Sequence, residues 1–198
     1  MTLHIDFWPA LAFAVVMVSW LVFALTFIVY KKPPSPPDKK RAEFSFAGIA
    51  LQGISYLIVW LVRRAWFTPM FSENRWLKIA LALTSILLAV TSVWFCALSI
   101  RVLGEQWSLA ARVVEGHKLV THGPYSVVRN PIYTGMLGML LATGLAVSHW
   151  IGLLIALAVF AIGTLIRVRS EERLLREMFG REFDDYARRV PAVIPFLI

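Results

Sequence analysis

Cysteine is all but absent from this 198-residue chain, and charge is scarce. The one cysteine, Cys96, lies inside an apolar run, which excludes a disulfide framework and a metal site built from several thiolates. Only 16% of the residues are charged against 59% hydrophobic, too few to cover a water-soluble domain. Acidic residues are the scarcer sign, 12 against 20 lysines and arginines. A basic surplus suits nucleic acid, but here it stands in bands beside apolar blocks and not on a polar domain interleaved with aromatics, so nucleic-acid binding is set aside. No lysine or arginine precedes the first apolar run. The basic start and small-residue cleavage site of a signal peptide are therefore missing, and the first block is expected to stay in the mature chain. No internal repeat is visible, and the one biased segment, PPSPP at 33–37, reads as a short stiff linker.

What is abundant is long apolar runs, the mark of an integral membrane protein. Residues 7–30, 44–62 and 76–100 are each long enough to cross a hydrocarbon core of roughly 30 Å at about 1.5 Å per helical residue. The run 131–166 would measure roughly 54 Å as one straight helix, so it must fold back. SHWIG at 148–152 supplies the polar interruption, and each arm of about 17 residues then spans roughly 26 Å. The expected fold is all-α, a polytopic membrane protein with five transmembrane helices, the last two a helical hairpin. Asn130 and Pro131 suit the N-cap and first position of the fourth helix, with the asparagine side chain accepting from the first turn. The fifth runs on as an amphipathic helix, with Leu174, Leu175, Met178 and Phe179 as its apolar stripe and Gly180 as its stop. Lysine and arginine divide 16 to 4 between the two sides, which predicts an outer N-terminus and cytoplasmic C-terminal helices.

Two polar stretches then share the cytoplasmic side, 101–130 and 167–198. In the first, Gly116, Gly123 and Gly135 permit close backbone approach, while Pro124 and Pro131 fix the chain locally. Tyr125 and Tyr133 add aromatic faces, for which an interfacial belt is the plain alternative. His117 and His122 offer no third ligand of defined placement, so no metal is expected. The second stretch has the composition of a helix lying on anionic lipid. Carboxylates at a span end do nothing for that, however. Arg167 and Glu171, one turn apart, can pair, which leaves Glu172 in need of another partner.

LGEQWS at 103–108, HKLVTHGPYSVVRNPIYTG at 117–135 and RSEERLLREMFGREFDDYARRVP at 169–191 together resemble the isoprenylcysteine carboxyl methyltransferase family, membrane enzymes that use S-adenosylmethionine. The resemblance covers roughly the C-terminal half. It implies a single domain in which 1–63 supplies N-terminal spans and 76–198 the cofactor-binding and catalytic part. For the cofactor it nominates His117, Leu119, Val120, Gly123, Tyr125 and Arg129 from the loop. Asn130, Pro131 and Tyr133 follow at the start of the fourth span, and Glu171 and Glu172 at the end of the fifth. It places Arg167 and Trp107 toward the acceptor, with Arg167 and Glu172 as the catalytic residues.

The chemistry of these side chains fits that assignment. Tyr125, Tyr133 and Trp107 can present faces to a sulfonium or an adenine. Glu172 can accept from ribose hydroxyls or an ammonium, and backbone N–H groups near Gly123 can meet a carboxylate. Arg167 can hold an acceptor carboxylate through bidentate hydrogen bonds. Where the family often reads Arg-His-Pro this chain has Arg129, Asn130 and Pro131, so no proton is carried at position 130. Phospholipid and small-thiol methyltransferases share much of this pattern. A prenylcysteine-type carboxylate is therefore the first choice among lipidic or apolar acceptors entering from the bilayer, with a phospholipid amine or a small thiol as alternatives. An NADPH-dependent sterol-type reductase and a non-catalytic membrane scaffold are the readings of other classes.

Overall fold

In lipid, backbone N–H and C=O groups must be satisfied within the protein, and a helix does so within a single segment. The computed structural model, which describes residues 6–29, 40–41, 45–71, 74–104, 112–113 and 118–195, is helical accordingly. Its helices are α1 (Phe7–Val29), α2 (Ser45–Leu61), α3 (Arg75–Leu103), α4 (Pro131–Val147), α5 (Trp150–Phe179) and α6 (Arg181–Arg189). A 3-10 turn occupies Gly123–Ser126. The addition to the all-α expectation is small: β1 (Lys40–Arg41) pairs antiparallel with β2 (Arg112–Val113). The linker 33–37 lies outside the described residues.

The protein is an integral membrane protein. Among the described residues, three helices are long and apolar enough to cross a bilayer: α1 with 23 residues, α3 with 29 and α5 with 30. α2 and α4 are apolar and shorter, 17 residues each. Large side chains such as Leu21, Leu87 and Trp94 stay uncovered, as lipid-facing residues do. The buried core between the helices holds Val16, Val59, Ala89, Met139, Leu140 and Phe160.

α4 runs opposite to α3 and to α5, and α2 runs opposite to α5, so their ends collect at two poles. α3 and α4 approach closely because Gly135 faces Cys96 and Gly138 faces Ser92, where a Cβ would stand 2.4 Å from Cys96 Sγ and 2.0 Å from Ser92 Oγ. Ser85 Oγ adds a 2.8 Å donation to Ala142 O. α1 closes over them, with Trp20 Nε1 donating to Thr143 Oγ1 at 3.1 Å. α2 lies against α5 through Gly48 and Gly163. A Cβ on Gly163 would meet Gly48 O and Leu51 Cβ, both at 2.9 Å.

The hairpin turns as expected but more tightly. Ser148 and His149 alone make the bend, His149 caps α5 by accepting from Ile151 N at 3.4 Å, and α5 begins at Trp150. Gly152, expected in the turn, lies within α5. There a Cβ would sit 2.7 Å from Val62 Cβ, so the glycine admits the end of α2. The next residues of that segment brace the bend: Arg64 donates through Nη2 to Leu145 O at 3.0 Å and Ala146 O at 2.8 Å, and through Nη1 to Ser148 O. These are the orphan carbonyls at the C-terminus of α4. Burial lowers the Arg64 pKa to about 10, which leaves it charged at neutral pH.

The α2–α5 crossing yields a first prediction. Gly163→Ala forces backbone against backbone and lowers the stability of the solubilised protein by about 1–3 kcal/mol. Gly53→Ala, on the same α2 but with nothing within 4 Å of the added methyl, leaves it unchanged or raises it by up to about 1 kcal/mol. Thermal unfolding of the two variants side by side checks this, and equal midpoints would disprove the close crossing.

Candidate functional site

One pole gathers the two polar stretches singled out in the sequence. α5 continues without a break past its apolar part to Phe179. Gly180 then turns the chain with φ +52° into α6, its N–H donating to Arg176 O. Arg176 Nε reaches back to Asp184 Oδ1 at 2.8 Å and fixes the angle between the helices. Of the expected apolar stripe, Leu174 is buried, and Leu175 and Phe179 pack on Phe183, Tyr186 and Val190. Met178 is exposed, because its helical position turns it away from α6.

The segment after α6 is tied down by the loop before α4. Arg129 N donates to Pro191 O at 2.8 Å and Asn130 N to Ala192 O at 2.9 Å, while Thr134 Oγ1 donates to Val193 O. The Arg129 guanidinium donates through Nη1 to Ala187 O at 2.8 Å and to Val190 O, closing the C-terminus of α6. Its remaining edge meets Glu172: Nε is 2.9 Å and Nη2 2.8 Å from Oε1. Glu172 thus finds the partner that the sequence left open. Tyr186 OH donates to Tyr125 O at 2.6 Å, and burial, opposed by the nearby Arg129, pushes its pKa up to about 12, so the phenol stays a donor.

Asn130 corrects an expectation. It holds the N-cap place of α4, but its side chain makes no capping bond; Nδ2 instead donates to Ala192 O at 3.0 Å. The Ala192 carbonyl, which already accepts from Asn130 N, takes the amide on its second lone pair.

A second cluster lies toward the apolar part of α5. Arg167, 5% exposed, donates from Nη2 to Glu171 Oε1 at 3.4 Å and from Nη1 to Gln52 Oε1 at 3.3 Å. Its guanidinium carbon stands 4.8 Å from the Tyr133 ring centroid, a cation–π approach, and Tyr133 OH donates to Glu171 Oε1. Tyr125 lies beside these groups, with its hydroxyl 3.5 Å from Ser99 O and its pKa raised by burial.

The structure therefore brings Arg167, Glu171 and Tyr133 into one cluster and Arg129, Asn130 and Glu172 into another, joined where Glu171 and Glu172 adjoin on α5. Pro131 is buried in the first turn of α4, and Gly123 opens the 3-10 turn with φ +61°. Leu119 packs on the apolar group of α6, and Val120 is half-buried. Trp107 and His117 lie outside the described residues. Among the described residues, no group of three or more His, Cys, Asp or Glu side chains could hold a metal ion. A groove of about 380 Å³ between α1 and α3, lined by Val15, Val18, Ser19 and Val93 among others, has no charged wall and lies apart from both clusters.

Sequence reading did not reach Gln52, Thr134 or Tyr186. Gln52 carried a usable signal, a lone amide in an otherwise apolar span. Thr134 and Tyr186 did not, since each meets its partner across more than 50 residues of chain.

A helical membrane protein with paired arginines and carboxylates at one pole defines a class, and comparison names it: residues 79–182 match the phospholipid methyltransferase family. The chain belongs to this family. It is 31% identical over 173 residues to the cobalt-zinc-cadmium resistance protein CzcN of Cupriavidus metallidurans, covering 83% of this chain and 73% of that protein. It is 36% identical over 83 residues to protein-S-isoprenylcysteine O-methyltransferase B of Arabidopsis thaliana, covering 42% of each chain. It is also 37% identical over 118 residues to the nickel-cobalt-cadmium resistance protein NccN of Alcaligenes xylosoxydans xylosoxydans, covering 58% of this chain and 54% of that one. The chain thus spans about half the length, or less, of the last two relatives. The resemblance read from the sequence motifs is borne out.

The geometry predicts that Arg129 secures the C-terminal segment. Arg129→Ala leaves Glu172 and two α6 carbonyls without this partner and costs about 3 kcal/mol. Trypsin should then cut after Arg188 and Arg189 faster than in the unaltered protein. Equal cleavage rates would show that the Arg129 side chain is not needed to hold the segment.

Proposed function

We propose that this protein is a methyltransferase that uses S-adenosylmethionine and methylates a lipidic or apolar acceptor entering from the bilayer, with a prenylcysteine-type carboxylate as the best-supported acceptor. The observation that carries the reading is the placement of Arg167, buried where the apolar part of α5 gives way to the polar pole, beside the Glu171 carboxylate and next to the cluster in which Arg129 holds Glu172. Family membership and the named isoprenylcysteine O-methyltransferase relatives support the reaction class.

The donor set suits the cofactor. Glu171 and Glu172 are partly accessible carboxylates, with side chains 25% and 14% exposed, and can meet an ammonium or ribose hydroxyls. The Tyr133 ring already takes one cation, Arg167, against its face, the same kind of contact that a sulfonium would make. When bound, S-adenosylmethionine supplies an electrophilic methyl group. The chain's own work is to hold and orient. In this reading Arg167 binds the acceptor carboxylate through its planar fork, Glu172 and the loop 119–133 bind the cofactor, and the helices exclude water. A carboxylate is already nucleophilic, so no base is required. The whole chain acts as one domain.

A second acceptor class is favoured by one feature: Glu171, beside Tyr133, would attract a phospholipid amine. Labelled methyl transfer onto S-farnesylcysteine, phosphatidylethanolamine and a small alkyl thiol separates the classes. Calorimetry should show S-adenosylmethionine but not NADPH binding, with Glu172→Gln and Tyr133→Ala weakening it, the former roughly 10- to 150-fold. Arg167→Lys should reduce turnover of the farnesylcysteine far more than cofactor affinity. Arg173→Lys, whose side chain is 82% exposed, should do neither. Equal small losses in both arginine variants would remove Arg167 from the acceptor site.

The same reading has five spans. α2 and α4, at roughly 26 Å, would cross a hydrocarbon core with little to spare. The N-terminus would be outside and the reactive pole cytoplasmic, following the lysine and arginine distribution. In a Cys96→Ala background, single cysteines at exposed His149 and Asp185 should react with a membrane-impermeant reagent from opposite sides. Labelling from the same side overturns this topology.

A further inference from the structure

α2 lies outside the segment that matches the family, yet it supplies two of the surfaces around Arg167. Gly48 makes room for the side chain's stem: a Cβ there would stand 2.4 Å from Arg167 Cγ. One turn further along, Gln52 is 2% exposed. Its Nε2 donates to Thr164 Oγ1 at 2.9 Å, and its Oε1 accepts from Arg167 Nη1 at 3.3 Å. The amide has only one workable orientation. A guanidinium has donors and no acceptor, so the oxygen must face Arg167, and the NH2 group is left for the hydroxyl.

The guanidinium is thereby approached from three helices: Gln52 of α2, the Tyr133 ring of α4 and Glu171 of its own α5. These contacts differ in kind. Glu171 offsets the positive charge, and Tyr133 presents a face. Of these three, Gln52 directs the fork while leaving its charge intact. Placing such an amide in an apolar span is costly unless both its ends are bonded, and here they are.

We propose that Gln52 is a positioning residue for acceptor binding: it aims the Arg167 guanidinium, so that α2 helps to determine which acceptor is held. The proposal rests on the reading of Arg167 as the acceptor's anchor. The competing account makes Gln52 an adhesive between α2 and α5 through Thr164, with Arg167 incidental. The two differ in what Thr164 does. Thr164→Val removes the hydroxyl and leaves the Gln52–Arg167 bond, whereas Gln52→Leu removes both bonds at similar volume.

The test uses the full chain in lipid nanodiscs, with S-farnesylcysteine bearing a free carboxylate as acceptor. Acceptor KM, kcat, S-adenosylmethionine affinity by calorimetry and thermal midpoint are measured for Gln52→Leu, Gln52→Glu, Thr164→Val and Arg167→Lys. Gln52→Leu is expected to raise acceptor KM at least tenfold, with cofactor affinity within twofold of the unaltered protein. Thr164→Val should lower the midpoint while leaving KM within twofold. Gln52→Glu keeps an oxygen toward Arg167 but cancels its charge, and should also raise KM; it decides the matter if the leucine variant does not fold. If Arg167→Lys raises KM while Gln52→Leu, or Gln52→Glu in its place, does not, the positioning role falls and the anchor stands. If Gln52→Leu and Thr164→Val change KM alike, Gln52 is an adhesive. An unchanged KM in Arg167→Lys, or no transfer to this acceptor by the unaltered protein, removes the anchor reading and the proposal with it.

Discussion

A guanidinium buried at the end of an apolar helix is the constraint around which this pole is organised. Arg167 has five N–H donors and no way to shed its charge, so a position that is 5% exposed must be lined with acceptors and a counter-charge. Glu171 one turn on, the Tyr133 face across the α4 interface and Gln52 from α2 supply a counter-charge, a π face and an amide acceptor from three helices. The approach of Gln52 depends on glycines at the helix contacts. Gly48 and Gly163 let α2 lie against α5, and Gly135, two residues from Tyr133, sets α4 against α3. Small residues at helix contacts and a charged side chain at their edge are therefore one arrangement, since close backbone approach is what lets short polar links reach.

The second arginine solves a different problem. α6 and the segment after it carry backbone groups that, once packed onto the loop before α4, lose water. Arg129 closes the last turn of α6 with Nη1 and meets Glu172 with its other edge, and the backbone N–H groups of Arg129 and Asn130 donate to the carbonyls of Pro191 and Ala192. The apolar contacts of Phe183, Tyr186 and Val190 with Leu119, Leu175 and Phe179 add the area that hydrogen bonds alone would not supply. The two carboxylates beside each other on α5 are thus held from opposite sides, Glu171 by groups near the apolar helices and Glu172 by groups of the C-terminal segment.

The helices were legible because each follows from a length of apolar sequence, and the hairpin because one run was too long for a bilayer. The Arg167–Glu171 pair and the stop at Gly180 were legible for a similar reason, being local in sequence. What failed was local reasoning about groups whose partners are distant. Asn130 has the residue type and place of an N-cap, yet its amide goes to Ala192, 62 residues away. Gly152 has the composition of a turn, but a glycine is equally what a helix needs where Val62 presses on it. The partner of Glu172 was recognisable as missing but not nameable, because any of the arginines of the polar stretches satisfies the same charge rule. Gln52 was the most readable of the omissions, since a polar side chain in an apolar span demands a partner whether or not its identity is known.

Charge balance narrows the acceptor further within the proposed function. Arg129 and Arg167 are matched by Glu172 and Glu171, so the two clusters together are close to neutral before anything binds. S-adenosylmethionine adds a net positive charge, that of its sulfonium, because its amino-acid end is a zwitterion. A half-buried site next to hydrocarbon resists an uncompensated charge, and the resistance grows as water is excluded. An acceptor carboxylate restores neutrality at the moment the site closes, whereas a protonated amine would add a second positive charge and would first have to lose its proton. A thiolate satisfies the same balance, but it has no pair of oxygens to match a planar guanidinium fork. The feature that separates a carboxylate from a thiolate is therefore the orientation of Arg167, which α2 shares in setting through a helix whose sequence shows little beyond hydrophobicity and one glutamine.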